Sequence, residues 1–311
     1  MSERVELLAA LHWNIVPPFA QENPQLGNQV DVIGRCVAAQ VRAVMPPGHQ
    51  GSPIDLMLCS TVISGAITGM TSISDRLFNV IESECRQRPL AHLHTYMCAG
   101  WGYALSYFLR HTDSRLVMLS MVDVDVHDLA YHRAHTQIGK LGFAITTLLL
   151  GLPDDRIDKV RTGGPFGGSA FKEFVLALRQ HNELHKPALS FIPFFGAGLS
   201  SIAERIIGAA NLGVNRHDDY GHCFGSDPWI GIIEWLQRTP LRERVNVSAG
   251  MVALSGYFAL CNVGLSPQTR IGSSVVNGRE SELESEIAEG ARLYTVAELH
   301  RKELSTTRMG S

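Results

Sequence analysis

The stretch YMCAGWGYALSYFL, residues 96–109, places one cysteine directly before a turn of small residues and a long apolar run. The apolar run predicts a helix, so Cys98 comes at its N-terminus, where backbone N–H groups lack intrahelical partners. That placement favours the thiolate, which is the reactive form of cysteine. The same position also suits a small buried hydrophobic residue, so the residues alone leave both interpretations open.

The composition limits the kinds of protein to which this cysteine can belong. With 311 residues, 45% of them hydrophobic and 18% charged, the chain predicts a globular protein with a large core. A net charge of -3 and the lack of Lys/Arg runs argue against a nucleic-acid partner. The opening MSERVELLAALHWNIVPP has no long apolar core, so we expect no signal peptide, no membrane partner and a cytoplasmic location.

Six cysteines are scattered without CxxC pairs, which argues against a disulfide framework and a structural zinc site. The segment DVDVHDLAYHRAH, residues 123–135, holds three His and three Asp, but their spacing matches no recognised metal motif. We interpret it as a polar loop and expect no metal.

Strand and helix patterns alternate along the chain, which predicts an α/β fold of two similar halves. The first half reads as strand, helix, strand, helix, the Cys98 turn and a further strand at 115–126. A segment rich in Gly, Asp and charge predicts a linker or surface loop, and the charged end predicts an extension that is partly helical and packs, solvated, on the outside. The predicted units are an N-terminal half with the nucleophile at 1–150, the linker at 151–180, a C-terminal half at 181–265 and the extension at 266–311.

The string CAGWGYAL, residues 98–105, resembles the active-site segment of the ketoacyl synthase III family of the thiolase superfamily. There a nucleophilic Cys is followed by Ala-Gly-aromatic and then Tyr-Ala-Leu. The resemblance implies that Cys98 is acylated by a thioester. It also implies a layered αβαβα sandwich with a mixed five-stranded sheet in each half, and a dimer across the strand LAHLHTYM, residues 90–97.

The second half resembles the family with two changes. Phe194 in FIPFFGAG takes the place of the family's histidine, and His222 in YGHCFGSDPWIGIIEWL stands where asparagine is usual. In the family these His and Asn side chains hold the thioester oxygen while an enolate forms, and a phenyl ring cannot do so. One imidazole suits a general base instead, so a Cys98/His222 pair favours acyl transfer over carbon–carbon bond formation.

Further site residues follow from the same resemblance. The oxyanion hole is expected from the backbone N–H groups of Cys98 and Gly250, the latter in NVSAGMVALSG at 246–256. Phe194, Trp101 and His94 are candidates for the substrate pocket. His92 and His94 alternate on the expected strand and would share a face with Cys98, although a core or interface role is the commoner one for such residues.

The thioester donor and the reaction are left open between alternatives. Residues 14–30 contain neither the Trp nor the Arg with which the family grips the coenzyme A adenine, so acyl-CoA and an acyl carrier protein are both candidate donors, and no bound cofactor is expected. The leading hypothesis is an acyltransferase. A condensing 3-oxoacyl synthase and a non-catalytic subunit of a ketosynthase-like heterodimer are the alternatives. For the assembly, a homodimer and a ketosynthase-like heterodimer are both left open.

Overall fold

The computed structural model describes residues 4–16, 26–46, 48–49, 54–63, 71–124, 126, 134–135, 138–165 and 169–306. In the first half the strands are β1 Val5–Val16, β2 Asp55–Cys59, β3 Ala91–Leu93, β4 Leu116–Asp123, β5 Ala134–His135, β6 Gly139–Lys140 and β7 Ala144–Gly151. The helices of this half are α1 Leu26–Val44, α2 Thr71–Cys85 and α3 Gly100–His111.

The second half repeats the alternation with more and shorter elements. Its strands are β8 Val160–Gly163, β9 Ser190–Phe191, β10 Val245–Val252, β11 Phe258–Leu265, β12 Arg270–Asn277 and β13 Tyr294–Thr295. Its helices are α4 Ala170–His185, α5 Ala197–Ile207, α6 His217–Tyr220, α7 Asp227–Arg238, α8 Glu280–Glu289 and α9 Val296–Thr306. In the described part of the chain, no helix combines the length and apolar character needed to cross a bilayer.

The strands of the two halves are joined through β1. The main strand order is β3-β2-β4-β7-β1-β11-β10-β9, with β12 beside β1 and β8 beside β11. β1 is long enough to pair with β11 at Val5 and Glu6 and then with β12 from Ala9 onward. Eleven of the described strands are therefore joined through β1 in one hydrogen-bonded network, whereas the resemblance implied a five-stranded sheet in each half. The short strands β5 and β6 pair only with each other.

The layers follow from the alternation of side chains along each strand. In β2, Leu56 and Leu58 pack with α1 and α2, whereas Met57 packs on the other face with α3. In β11, Leu260 packs against α4, whereas Cys261 belongs to the central cluster with α3 and α7. Helices thus cover both outer faces and fill the middle, which is the predicted αβαβα sandwich.

Two segments contain regular structure that their charged sequences did not indicate. The segment 151–180, interpreted as a linker or surface loop, contains β8, which pairs with β11, and much of α4, whose Phe174 is buried. The segment 266–311, interpreted as a charged extension that is partly helical, contains α8 and α9 and also β12, which is paired with β1 and buries Ile271. Both segments carry charged residues on the faces that are exposed to solvent. These residues made the segments resemble loops in the sequence, although the other faces of their short strands and helices pack on the core.

Candidate active site

Cys98 lies in a tight turn at the N-terminus of a central helix. The 3-10 turn Met97–Ala99 leads directly into α3, and Met97 has a left-handed backbone with φ of 49°. The Cys98 residue is 6% exposed. A second 3-10 turn, Phe224–Ser226, approaches it closely because Gly225 has no side chain; a Cβ there would lie 3.1 Å from the Cys98 carbonyl oxygen.

His222 faces the cysteine from the second half of the chain. Its Nε2 lies 3.9 Å from Cys98 Sγ, and the residue is 2% exposed. The backbone of His222 is held on both sides, since its N–H donates to Lys140 O and its carbonyl accepts from Gly142 N. The structure therefore brings together the two residues singled out as nucleophile and base.

Asp227, which the sequence analysis missed, completes a chain of three side chains. Its Oδ2 lies 2.5 Å from His222 Nδ1, and the residue is 0% exposed. Backbone N–H groups of Cys223 and Phe194 also donate to this carboxylate, at 2.6 and 2.8 Å. As the first residue of α7, Asp227 also benefits from the positive end of the helix dipole.

The charges of this group are coupled. Burial disfavours the imidazolium form of His222, but the hydrogen-bonded carboxylate of Asp227 and the sulfur of Cys98 outweigh burial and raise the pKa of His222 to about 10. A protonated imidazole places an N–H donor at Nε2, 3.9 Å from the Cys98 sulfur. Burial raises the pKa of the other five thiols, of Cys36, Cys59, Cys85, Cys223 and Cys261.

A largely apolar cavity of about 750 Å³ opens onto Cys98 and His222. Among the described residues, its polar side chains are those of Cys98, His222, Thr61 and Ser169. The other lining residues are Met97, Ile138, Leu141, Ala170, Phe171, Phe195, Gly198, Leu199, Ile202, Phe224, Val252, Ala253 and Leu254. The size and lining are those of a site for a small, mainly apolar organic group.

Of the two neighbours Phe194 and Phe195, it is Phe195 whose ring lines the cavity. Phe195 stacks over His222, with centroids 6.5 Å apart and planes at 12°, and meets Phe171 edge-on. Phe194 instead packs with Ala144, Cys223 and Ile230, while its backbone holds Asp227. The residue of this pair that faces the cavity is thus one position later than the resemblance implies.

The other pocket candidates lie outside the cavity. Trp101 is fully buried between the sheets, where its ring meets Trp229 edge-on at 5.1 Å. The strand before Cys98 ends at Leu93, so His94 falls in the following turn, where its ring lies edge-on to His92. The shared strand face that we expected for these two histidines is therefore absent from the described segment 91–97.

Gly250 is also placed differently from the expectation. It lies within β10, opposite Leu260, and a Cβ at this position would meet Leu260 and Phe174. The turn that reaches the cavity comes later, at Ala253 and Leu254, because β10 continues to Val252. The N–H of Gly250 is consequently not positioned as the oxyanion donor, whereas that of Cys98 stays at the N-terminal end of α3.

The histidine- and aspartate-containing segment at 123–135 lies largely outside the described residues; Asp123 within it is described. Burial raises the pKa of Asp123 to about 6, although its carboxylate accepts hydrogen bonds from backbone N–H groups. Where side chains are described, no group of His, Cys, Asp and Glu is arranged to hold a metal ion.

Solved structures share this fold, although no protein-family model and no curated protein sequence matches the chain. A 3-oxoacyl-(acyl-carrier protein) synthase from Burkholderia xenovorans LB400 has a TM-score of 0.60 and 11% identity, covering 88% of this chain and 97% of its own. ChlB3, an acyltransferase, has a TM-score of 0.60 and 13% identity over 86% and 99%. AbyA1, a tetronic acid condensing enzyme, has a TM-score of 0.55 and 14% identity over 82% and 99%.

These comparisons confirm the predicted thiolase-like fold of the ketoacyl synthase III type. At such low identity the likeness concerns the fold, and a fold of this kind carries several activities among the proteins just named. The reaction has to be argued from the site itself.

Proposed function

We propose that this protein is a thiolase-fold acyltransferase that carries the acyl group on Cys98. The observation that carries the proposal is the continuous contact from Cys98 Sγ to His222 Nε2, and from His222 Nδ1 to Asp227, beside an apolar cavity. A nucleophile, a base and a carboxylate that orients the base form the arrangement used for acyl transfer on unrelated folds.

In the first half-reaction the Cys98 thiolate attacks the carbonyl carbon of a thioester. A carbon–sulfur bond to Cys98 forms, and the carbon–sulfur bond to the donor breaks. The departing thiolate takes the proton that His222 held, which leaves the imidazole neutral. The backbone N–H of Cys98, at the start of α3, is the donor that we assign to the negatively charged oxygen of the intermediate.

In the second half-reaction the neutral imidazole acts as a base. It removes a proton from a hydroxyl, an amine or water as that group attacks the acyl carbon, and the Cys98 thiolate leaves. Acylation has meanwhile removed the sulfur charge that helped to raise the pKa of His222, so the imidazole can release its proton more readily in the acyl-enzyme. Asp227 keeps the proton on Nδ1, so Nε2 stays free to accept.

The cavity wall favours transfer over condensation. A condensing reaction by decarboxylation needs hydrogen-bond donors for an enolate, and Phe195 places a phenyl ring beside His222. The complete Cys98–His222–Asp227 chain and the open cavity argue against a non-catalytic subunit, since such a subunit has no use for an oriented base.

The donor and the assembly belong to the same proposal. Acyl-CoA and an acyl carrier protein both present the required thioester, and we assign no bound cofactor. β3 stands at the end of the described strand order, which is compatible with a dimer across this strand. We further propose that the protein works in the cytoplasm.

Intact-protein mass after incubation with acyl-CoA and acyl-N-acetylcysteamine thioesters tests the function. The wild type should gain one acyl mass on Cys98, and Cys98→Ala should gain none. His222→Ala should load slowly and fail to pass the group on. Cys85→Ala, which changes a half-buried cysteine on another face, is the matched control and should behave as the wild type.

Two outcomes would contradict the proposal. Absence of acyl mass on Cys98 with every donor would support the partner-subunit alternative. Release of carbon dioxide from a malonyl thioester, at a rate matching product formation, would support condensation.

A further inference from the structure

Thr61 is a second polar group at the sulfur, and the mechanism above does not use it. Thr61 comes two residues after the end of β2 and lines the same cavity as Cys98. Its hydroxyl donates to Cys98 Sγ at 3.7 Å, which is within hydrogen-bonding range for sulfur. The sulfur is therefore contacted from two sides, by His222 from the second half and by Thr61 from the first.

Asp123 fixes the backbone of Thr61. The Oδ1 atom of this buried aspartate accepts the N–H of Thr61 at 2.5 Å and that of Val62 at 2.9 Å. Strands β2 and β4 are parallel neighbours, with Cys59 opposite Met121. Thr61 and Asp123, each two residues further along, therefore lie side by side at the carboxyl ends of these strands. The carboxylate thus holds the short segment that presents the Thr61 hydroxyl.

We propose that Thr61 is a further catalytic residue and that Asp123 is its positioning residue. The Thr61 hydroxyl donates a hydrogen bond to the Cys98 sulfur whenever that sulfur carries negative charge, both as it attacks and as it is expelled from the acyl-enzyme. Thr61 keeps its proton throughout, and His222 alone transfers protons. The role during turnover rests on the proposed function, whereas the effect on the resting thiol does not.

The charge dependence of this contact is what makes it catalytic. A thiolate accepts a hydrogen bond much more strongly than the neutral sulfur of a thioester. The contact therefore stabilises the sulfur as it leaves more than it stabilises the acyl-enzyme, and an interaction of that kind accelerates the step.

The rate of alkylation of Cys98 by iodoacetamide tests the proposal without any acyl donor. Thr61→Val keeps the shape and removes the hydroxyl, and we expect its rate constant at pH 7 to fall about ten-fold, as for loss of one hydrogen bond to a charged group. Thr61→Ser keeps the hydroxyl and should stay within about two-fold of the wild type. Peptide mass identifies the alkylated cysteine, and thermal unfolding confirms the fold.

Asp123 is tested by the same measurement. Asp123→Ala removes the acceptor of the Thr61 N–H, and the rate constant should fall about as far as in Thr61→Val. Asp123→Asn keeps an oxygen acceptor and should stay within about three-fold of the wild type. His222, which contacts the sulfur, and Asp227, which contacts His222, are unchanged in all four variants, so any change in the rate constant has to come from Thr61 or Asp123.

Each result bears on the proposal. If folded Thr61→Val is alkylated at the wild-type rate, Thr61 has no such role. The role is also overturned if the rate constant falls equally in Thr61→Ser and Thr61→Val, because the loss would then come from altered packing and not from the missing hydroxyl. If Asp123→Ala is alkylated at the wild-type rate, the positioning role of Asp123 is overturned. A ten-fold lower rate constant in Asp123→Asn also overturns it, because the charge of the Asp123 carboxylate would then be responsible and not its hydrogen bond to the Thr61 N–H. A protein without acyl loading but with slowed alkylation in Thr61→Val would refute the function and leave the Thr61 contact standing.

Discussion

Replacing Asp227 by Asn removes one buried negative charge and keeps the shape of the side chain. The carboxylate accepts from Cys223 N on Oδ1 and from Phe194 N and His222 Nδ1 on Oδ2. An amide has one oxygen and one NH2 group, so in either orientation a buried donor faces another donor. We expect the free energy of unfolding to fall by about 1–3 kcal/mol, the cost of one unsatisfied buried donor.

The effect on the reaction should be larger than the effect on stability. If the NH2 group faces His222, Nδ1 becomes an acceptor and Nε2 carries the proton, so the base is lost. If the oxygen faces His222, the tautomer survives but the charge that stabilises the imidazolium is gone. Acyl transfer should therefore slow by roughly 10,000-fold, the loss found when the carboxylate of such a triad is replaced.

Single-turnover acyl loading and release, followed by quenched intact-protein mass, measure this loss, and urea unfolding gives the stability. Asp219→Asn is the matched control, because Asp219 is exposed on α6 and pairs only at the surface with Arg216, at 3.1 Å. It should change the rate less than two-fold, as expected for an exposed ion pair. A folded Asp227→Asn protein that transfers within about three-fold of the wild-type rate would refute the reasoning.

Two further predictions concern packing and pH. Gly102→Ala would place a Cβ 2.1 Å from that of Ala259, so we expect the free energy of unfolding, measured in urea, to fall by about 1–3 kcal/mol. Adding Ala259→Gly should restore part of this loss, and a double variant as unstable as Gly102→Ala would contradict the explanation. The raised pKa of His222 stabilises the fold fully below about pH 6.5, and this contribution is lost as the pH rises toward about 10. The stability advantage of wild type over His222→Gln should shrink across that range, and a constant difference would contradict it.

The sequence predicted the features that are encoded in short contiguous strings. The Cys98 turn, the apolar helix behind it and the alternation of strands and helices are local patterns, and the structure has them at nearly the expected bounds. Asp227 lies only five residues after His222, yet its role depends on backbone donors from Phe194 and Cys223, which local patterns do not reveal. Thr61 approaches Cys98 because β2 ends beside the turn Met97–Ala99, and the sequence does not show that these two segments are neighbours.

The errors share a physical cause, which is uncertainty about where a strand ends. The resemblance assigned Phe194 to the place of the family's histidine, but β9 has only two residues, and the chain beyond it brings Phe195 to the cavity instead. β10 continues past Gly250 to Val252, which moves the turn at the cavity by several residues. Pairing with neighbouring strands decides such ends, and neighbours such as β8 come from segments whose own sequence predicts a loop.

The two central helices explain why the halves must assemble to form the site. α3 and α7 each begin after a 3-10 turn with a left-handed residue, Met97 at φ 49° and Phe224 at φ 52°, and the two turns pack together. The start of α3 carries Cys98 and the start of α7 carries Asp227, so each helix dipole favours a negative group, and the cationic His222 lies between them. Because the nucleophile comes from one half and its base and carboxylate from the other, the contact between Cys98 and His222 depends on the packing of the halves. The three side chains therefore come together only in the folded chain.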